Sequence, residues 1–235
     1  MWNGKLKAVT FSFDDGVNQD RRFVDILNKY GLHGTFNLIS SKLGSHNSPK
    51  MKNGKMIDYS KVEPDEIRKL YRGHEIAGHT LEHPDLTELS DSDVIRQVEE
   101  DRLALSKFAG YEVVGFAYPY GAYDERIIKL IREKTGIKYA RACGSPRPLD
   151  FVIDEPLRFE PTAYVGNTEY LFKCAKELIE STPDKPQLLY VWGHTYELDE
   201  ATNITWEKFE EFCRMISDRS DIFYGTNKEI LLQNL

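Results

Sequence analysis
The sequence predicts an α/β fold: a distorted parallel (β/α) barrel of about seven strands, TIM-barrel-like in plan. Three observations carry this. Strand-like and helical segments alternate along the whole chain of 235 residues, which implies right-handed β-α-β crossovers and a mainly parallel sheet. Seven or eight such units can be read, which favours a barrel, and a single domain spanning 1–235 is within the length that α/β barrels reach. The polar clusters fall after the carboxyl ends of strands, where parallel barrels place their chemistry.

Lys7 to Phe13 is a β-rich run, and Asn18 to Tyr30 carries Phe23, Ile26 and Leu27 at helical spacing before Gly31 stops it. Gly34 to Ile39 reads as a second strand, followed by a loop from Ser40 to about Ile57 rich in Ser, Lys, Asn and Gly. A loop of that length is usually functional or mobile. Pro64 suits the first turn of a helix running to about Tyr71, and Glu75 to Gly78 is a short strand leading into two histidines. Ser90 or Asp91 can cap a long helix ending near Ala109 and Gly110, after which Val113 to Ala117 reads as a buried strand. Asp124 can cap the next helix, through Lys134, and Lys138 to Ala142 is strand-like. From Gly144 to Pro156 the chain is irregular, and Leu157 to Phe159 is a further strand candidate. Thr168 to Glu180 is helical, Gln187 to Trp192 is a strand, Thr205 caps a helix to about Ser217, and Ile222 to Tyr224 leads into a final short helix.

A hydrophobic fraction of 40% and a charged fraction of 29% suit a globular chain that buries a sizeable core. The formal net charge of -7 and the lack of any basic tract argue against nucleic acid or an anionic membrane as a partner. No apolar run is long enough to span a bilayer as a helix. Met1 to Lys7 lack the apolar core and cleavage site of a secretory signal, and Cys143, Cys174 and Cys213 show no Cys-x-x-Cys spacing. Both features lead to the expectation of a reducing, cytoplasmic setting.

Two motifs carry the chemistry. Thr10-Phe11-Ser12-Phe13-Asp14-Asp15-Gly16 places adjacent carboxylates at the end of an apolar strand, where neighbours point to opposite faces unless the chain turns, and Gly16 permits a turn. Two carboxylates in a confined site do not both stay charged cheaply, so a cation bound to one of them is a natural solution. His79-Thr80-Leu81-Glu82-His83-Pro84 supplies two imidazoles at a spacing that brings both to one ion. Two His and one carboxylate leave coordination positions open, the arrangement of a catalytic metal.

These segments resemble the polysaccharide deacetylases, a family that includes chitin and peptidoglycan deacetylases and acetylxylan esterases, and the resemblance covers most of the chain. It implies Asp14 as catalytic base and Asp15, His79 and His83 as ligands of one divalent ion, zinc first, with cobalt, nickel or manganese as alternatives. Ala117-Tyr118-Pro119-Tyr120-Gly121 is similar to the family's Arg-x-Pro-Tyr-Gly segment, and Tyr190-Val191-Trp192-Gly193-His194 to its Leu-x-x-His segment. By that resemblance Tyr120 supplies a backbone N–H to the oxyanion and His194 protonates the leaving amine. Tyr118, Pro119, Tyr120 and Trp192 are candidate substrate contacts, the aromatic faces suiting a sugar ring.

Two departures stand out. The Arg expected beside the base is Ala117 here, for which Arg141 or Arg158 is a candidate replacement, and the family's Asp-and-Trp motif has no clear counterpart between Cys143 and Pro161. The expected reaction is hydrolysis of a non-peptide carbon-nitrogen bond, an N-acetyl group on an amino sugar or polysaccharide. Cyclic amides, imides or O-acetyl esters are the alternative on the same site, so the expected partner is a carbohydrate or small amide. A non-haem iron oxygenase shares the ligand set, and a metal-retaining carbohydrate-binding module is the non-enzyme rival.

Overall fold
The computed structural model describes residues 1–144 and 146–233; Ser145, inside the stretch read as irregular, and Asn234 and Leu235 lie outside the described residues. In chain order the elements are β1 (Lys7–Asp14), α1 (Asp20–Lys29), β2 (Gly34–Leu38), α2 (Ile67–Leu70), β3 (Glu75–Gly78), α3 (Asp91–Ala109), β4 (Gly115–Ala117) and α4 (Glu125–Lys134). They continue with β5 (Tyr139–Arg141), β6 (Ala163–Tyr164), α5 (Thr168–Glu180), β7 (Gln187–His194), α6 (Tyr196–Glu200), α7 (Trp206–Ile216), β8 (Ile222–Tyr224) and α8 (Asn227–Leu231).

All named strand pairs are parallel, in the order β5-β4-β3-β2-β1-β7-β6. β8 pairs with the first half of β1, at Lys7, Ala8 and Val9, below the point where β2 joins at Phe11. Every residue of β1 is buried, as a parallel strand covered on both faces requires. Its Phe11 and Phe13 meet Phe23 of α1 and Phe209 of α7, the last two stacked at 4.5 Å; each buried ring contributes about 1.5–3 kcal/mol.

The barrel is distorted where it closes. Phe159 bridges Arg141 at the edge of β5, and a few residues later Ala163 pairs with Val191 of β7, so one irregular segment reaches both edges of the sheet. This corrects the strand expected at Leu157 to Phe159: Pro156–Arg158 is a single 3-10 turn, with the Glu155 side chain accepting from the Leu157 N–H. The helix expected from Pro64 shrinks to α2, because Glu63 to Glu66 first forms a turn with Glu66 N–H on the Glu63 carbonyl. α3 keeps both expected ends, capped by the Ser90 hydroxyl and stopped by Gly110 in the left-handed region. No described helix is long and apolar enough to cross a membrane.

Candidate active site
The register of the sheet sets Asn37, Asp14 and His194 abreast on β2, β1 and β7. Asp14 is 3% exposed, and each of its oxygens has a partner. Asn37 Nδ2 donates to Oδ1 at 2.8 Å, and Arg141 Nη2 donates to Oδ2 at 2.5 Å. Burial raises the Asp14 carboxyl, but the charges of Arg141 and His194 outweigh it and hold the group below the ordinary carboxylate range. Trp192 lies against the Arg141 guanidinium, 5.0 Å from its ring centre. Asn37 was not legible as a site residue, although an Asn inside the apolar run Gly34-Thr35-Phe36-Asn37-Leu38 is the kind of buried polar group that must find partners.

Beyond Asp14 the strand breaks. Asp15 adopts φ +80° and Gly16 φ +60°, which swings the second carboxylate to the same mouth as the first. Glycine takes this left-handed turn without strain, and a Cβ at Gly16 would press on Leu38 Cδ2 at 2.7 Å. Asp15 Oδ1 lies 4.0 Å from both His79 Nε2 and His83 Nε2, and the ligand atoms of the three residues fall within 4.8 Å of one another. His79 donates its Nδ1–H to the Ala117 carbonyl at 2.8 Å, which fixes the tautomer and turns the Nε2 lone pair towards Asp15.

The donor set fits a cation. Asp15 Oδ1 is buried and has no hydrogen-bond partner among the described residues, an arrangement that would be costly unless something positive meets it. Burial lowers His79 and pushes His83 down to about 4, so both imidazoles are neutral and available as ligands. Burial raises the Asp15 carboxyl, but the Lys61 and His194 charges and the Tyr59 hydrogen bond bring it below its usual range. Tyr59 donates its hydroxyl to Asp15 Oδ2. Neither Tyr59 nor Lys61 carried any signal in the sequence.

His194 ends β7, its Nδ1 directed at Glu197 Oε1 at 3.3 Å. The other Glu197 oxygen accepts the His194 backbone N–H at 3.3 Å, and the Tyr164 hydroxyl also donates to this carboxylate. Burial lowers His194, but the Glu197 hydrogen bond and the Asp15 and Asp14 charges prevail and bring it up to about 9. A protonated Nε2 is thereby kept at the mouth. Glu197 is thus the carboxylate that meets both the ring and the backbone N–H of His194.

The remaining candidates divide. Tyr120, at φ +58°, is 69% exposed and stands edge-on over His83 with ring centres 4.8 Å apart. Tyr118 is 1% exposed and donates its hydroxyl to the Leu157 carbonyl at 2.8 Å, so it borders the cavity as a largely buried residue; Pro119 is buried beside it. Arg158 is exposed and pairs with Glu125 at 3.2 Å, which leaves Arg141 alone against Asp14. Glu82, between the histidines, faces outward onto Gln97 and Arg96. Asp15, Thr80, His83 and Tyr120 all hold positive φ, a clustering of backbone strain that is typical of functional sites.

Residues 3–140 match the family model described as polysaccharide deacetylase. Peptidoglycan-N-acetylmuramic acid deacetylase PdaC of Bacillus subtilis is 27% identical over 123 residues, which is 52% of this chain and 23% of the relative. A chitooligosaccharide deacetylase of Sinorhizobium fredii is 30% identical over 125 residues, 52% of this chain and 50% of the relative. The match thus spans half or less of the length of these curated relatives. Among solved structures, the Xyl-CE4 domain of a multidomain xylanase from the hindgut metagenome of Trinervitermes trinervoides aligns over 97% of this chain and 90% of its own, at TM-score 0.62 and 17% identity. Peptidoglycan deacetylase PdaC from Bacillus subtilis, as the D285S mutant, aligns over 97% and 90% at TM-score 0.57 and 18% identity; both likenesses show the distorted barrel. With the family model covering β1 to β4, and with them Asp14, Asp15, His79 and His83, the chain belongs to the polysaccharide deacetylase family.

Proposed function
We propose that the chain is a metal-dependent hydrolase that removes an N-acetyl group from an amino sugar. The observation that carries the reading is Asp15 Oδ1, buried without a partner, 4.0 Å from two neutral imidazoles, beside a second carboxylate that Arg141 and Asn37 keep ionised. Asp15, His79 and His83 would hold the ion, and two nitrogens with one oxygen suit zinc. A divalent ion there supplies polarisation of the substrate carbonyl and a lowered pKa for water, from about 15.7 towards 7.

The chain's own residues supply the rest. Asp14 accepts the proton of the attacking water; with Asn37 and Arg141 on its two oxygens it stands beside the ligands, 3.9 Å from His79 Nε2, rather than among them. Tyr120, held at the mouth in a left-handed conformation, presents its backbone to the developing oxyanion. His194 gives a proton from Nε2 to the departing amine while Glu197 holds Nδ1. Two ionisable groups on either side of the reacting carbon, one pushed acidic and one pushed basic, divide the work of base and acid. The test is acetate release from N-acetylated sugars by zinc-loaded protein, with the fully chelated protein inactive; equal rates in both would overturn the reading.

A further inference from the structure
The turn that carries Asp15 has a second segment of chain tied along it. Val62 N–H donates to the Gly16 carbonyl and Asn18 N–H to the Ser60 carbonyl, each at 2.9 Å, with Val17 and Lys61 forming an antiparallel bridge between them. On its other side the same segment is tied to the start of the loop after β2, Tyr59 N–H meeting the Asn47 carbonyl and Lys61 N–H the Ser45 carbonyl, each at 2.8 Å. Successive side chains of an extended segment point to opposite faces, so Tyr59 and Lys61 share one. Backbone bonds on both sides fix where that face lies.

The face meets Asp15. Tyr59, which lines the cavity with His79 and His83, donates its hydroxyl to Asp15 Oδ2. The Lys61 ammonium, buried and without a hydrogen-bond partner among the described residues, lies over the Tyr59 ring at 3.9 Å from its centre, and the Tyr196 ring meets it edge to face at 5.1 Å. A cation over the ring face attracts the ring and draws electron density from it, which strengthens the hydroxyl as a donor. The two oxygens of Asp15 are therefore unlike: Oδ2 is engaged, whereas Oδ1 is buried with no partner, 4.0 Å from Nε2 of His79 and of His83. A carboxylate can hold an ion through one oxygen or through both. Catalytic zinc sites take three protein ligands and keep a fourth position open; the two imidazoles and Oδ1 make three donor atoms, and Oδ2 would make a fourth.

We propose that Tyr59 is a positioning residue of the metal site: by occupying Oδ2 it makes Asp15 a ligand through Oδ1 alone and so keeps a position on the ion free for water and substrate. Lys61 and Tyr196 hold the Tyr59 ring in the place from which its hydroxyl does this. The role rests on the metal-dependent deacetylase reading above.

Crystals of the zinc-loaded full chain read the contact directly. In the wild type one Asp15 oxygen should bond zinc while the other stays on the Tyr59 hydroxyl; two oxygens on zinc, or a hydroxyl detached from Asp15, overturns the proposal. Tyr59→Phe keeps the ring and both of its contacts and removes only the hydroxyl. In that variant the freed Oδ2 should join Oδ1 on zinc, and acetate release at saturating zinc should fall about 10- to 100-fold, the usual cost of losing a partner of this kind. Asp15 still on zinc through one oxygen in the variant, or an unchanged rate, overturns the proposal as well. A merely structural tyrosine would change the melting temperature of the chelated protein and leave the zinc–oxygen contacts as they were. Wild type that releases acetate with both Asp15 oxygens on zinc leaves the deacetylase reading standing and ends only the role of Tyr59; wild type that takes up no zinc ends both.

Discussion

Arg141 stands beside Ala117 in the register of β4 and β5, and its guanidinium reaches Asp14 Oδ2 at 2.5 Å. The charge that the family motif places on β4 is here carried one strand over. A neighbouring Arg lowers an Asp pKa by about 1–3 units, so Arg141→Gln should raise the pH at which activity is lost on the acidic side by about one unit or more. Since removing one partner of a buried pair costs about 3–5 kcal/mol, the variant's fold is to be checked by circular dichroism alongside the pH profile. Arg141→Ala combined with Ala117→Arg should recover part of the lost activity. No recovery, with the double variant folded, would mean that the side from which the guanidinium approaches is itself required.

The proposed metal ligands and the proposed base separate by substitution. His79→Ala or His83→Ala should lose bound zinc and turnover together, as read by metal content after gel filtration. Asp14→Asn should keep the zinc and lose turnover by a factor of about 10² to 10⁴, the usual worth of general acid-base catalysis. Full activity in Asp14→Asn would remove it as the base.

What the sequence made legible follows from where physics is local. Strand-end carboxylates, the His pair and the caps of α3 and α4 are set by neighbours within a few residues, and Ser90, Gly110 and Asp124 stand in the structure as their residue types suggest. Arg141 and Arg158 could not be told apart on the line, because only the β4–β5 register decides which guanidinium faces Asp14. Tyr59 reaches Asp15 from a loop without periodicity, with the Lys61 ammonium over its ring; Glu197 is only three residues past His194, but nothing in the residue types shows that β7 passes straight into α6 and so brings its carboxylate back onto the imidazole. β6 spans just Ala163–Tyr164 and its pairing is with a distant strand, so no local pattern could announce it.

Glu197 should set the alkaline limit of activity. In the proposed reaction His194 acts as the acid and must be protonated, and the Glu197 hydrogen bond with the Asp15 and Asp14 charges brings that imidazole up to about 9 against the opposing effect of burial. Activity is thus lost as pH rises through the folded-state value, which a bound divalent cation brings lower by repulsion. Glu197→Gln keeps the shape and removes the charge, so the alkaline limb of kcat/KM should move to lower pH, while Glu197→Asp should restore part of the shift. A limb that does not move in Glu197→Gln would detach Glu197 from the acid.

Asp101 of α3 links the first histidine to the body of the barrel. Its carboxylate accepts the His79 N–H at 3.0 Å and the Ser40 N–H at 2.9 Å, and it is fully buried. Burial pushes its pKa up to about 8, against the pull of those two donors. A carboxyl raised on folding holds its proton longer in the native state than in the unfolded chain, where it ionises near about 3.9. Its contribution is therefore complete below that value and declines as pH rises towards 8. Asp101→Ala strands two buried donors, at about 1–3 kcal/mol each, and should destabilise the protein most at the acidic end. Urea unfolding of chelated wild type and variant at pH 5 and pH 8 reads the difference; a gap that widens with rising pH would contradict the assignment.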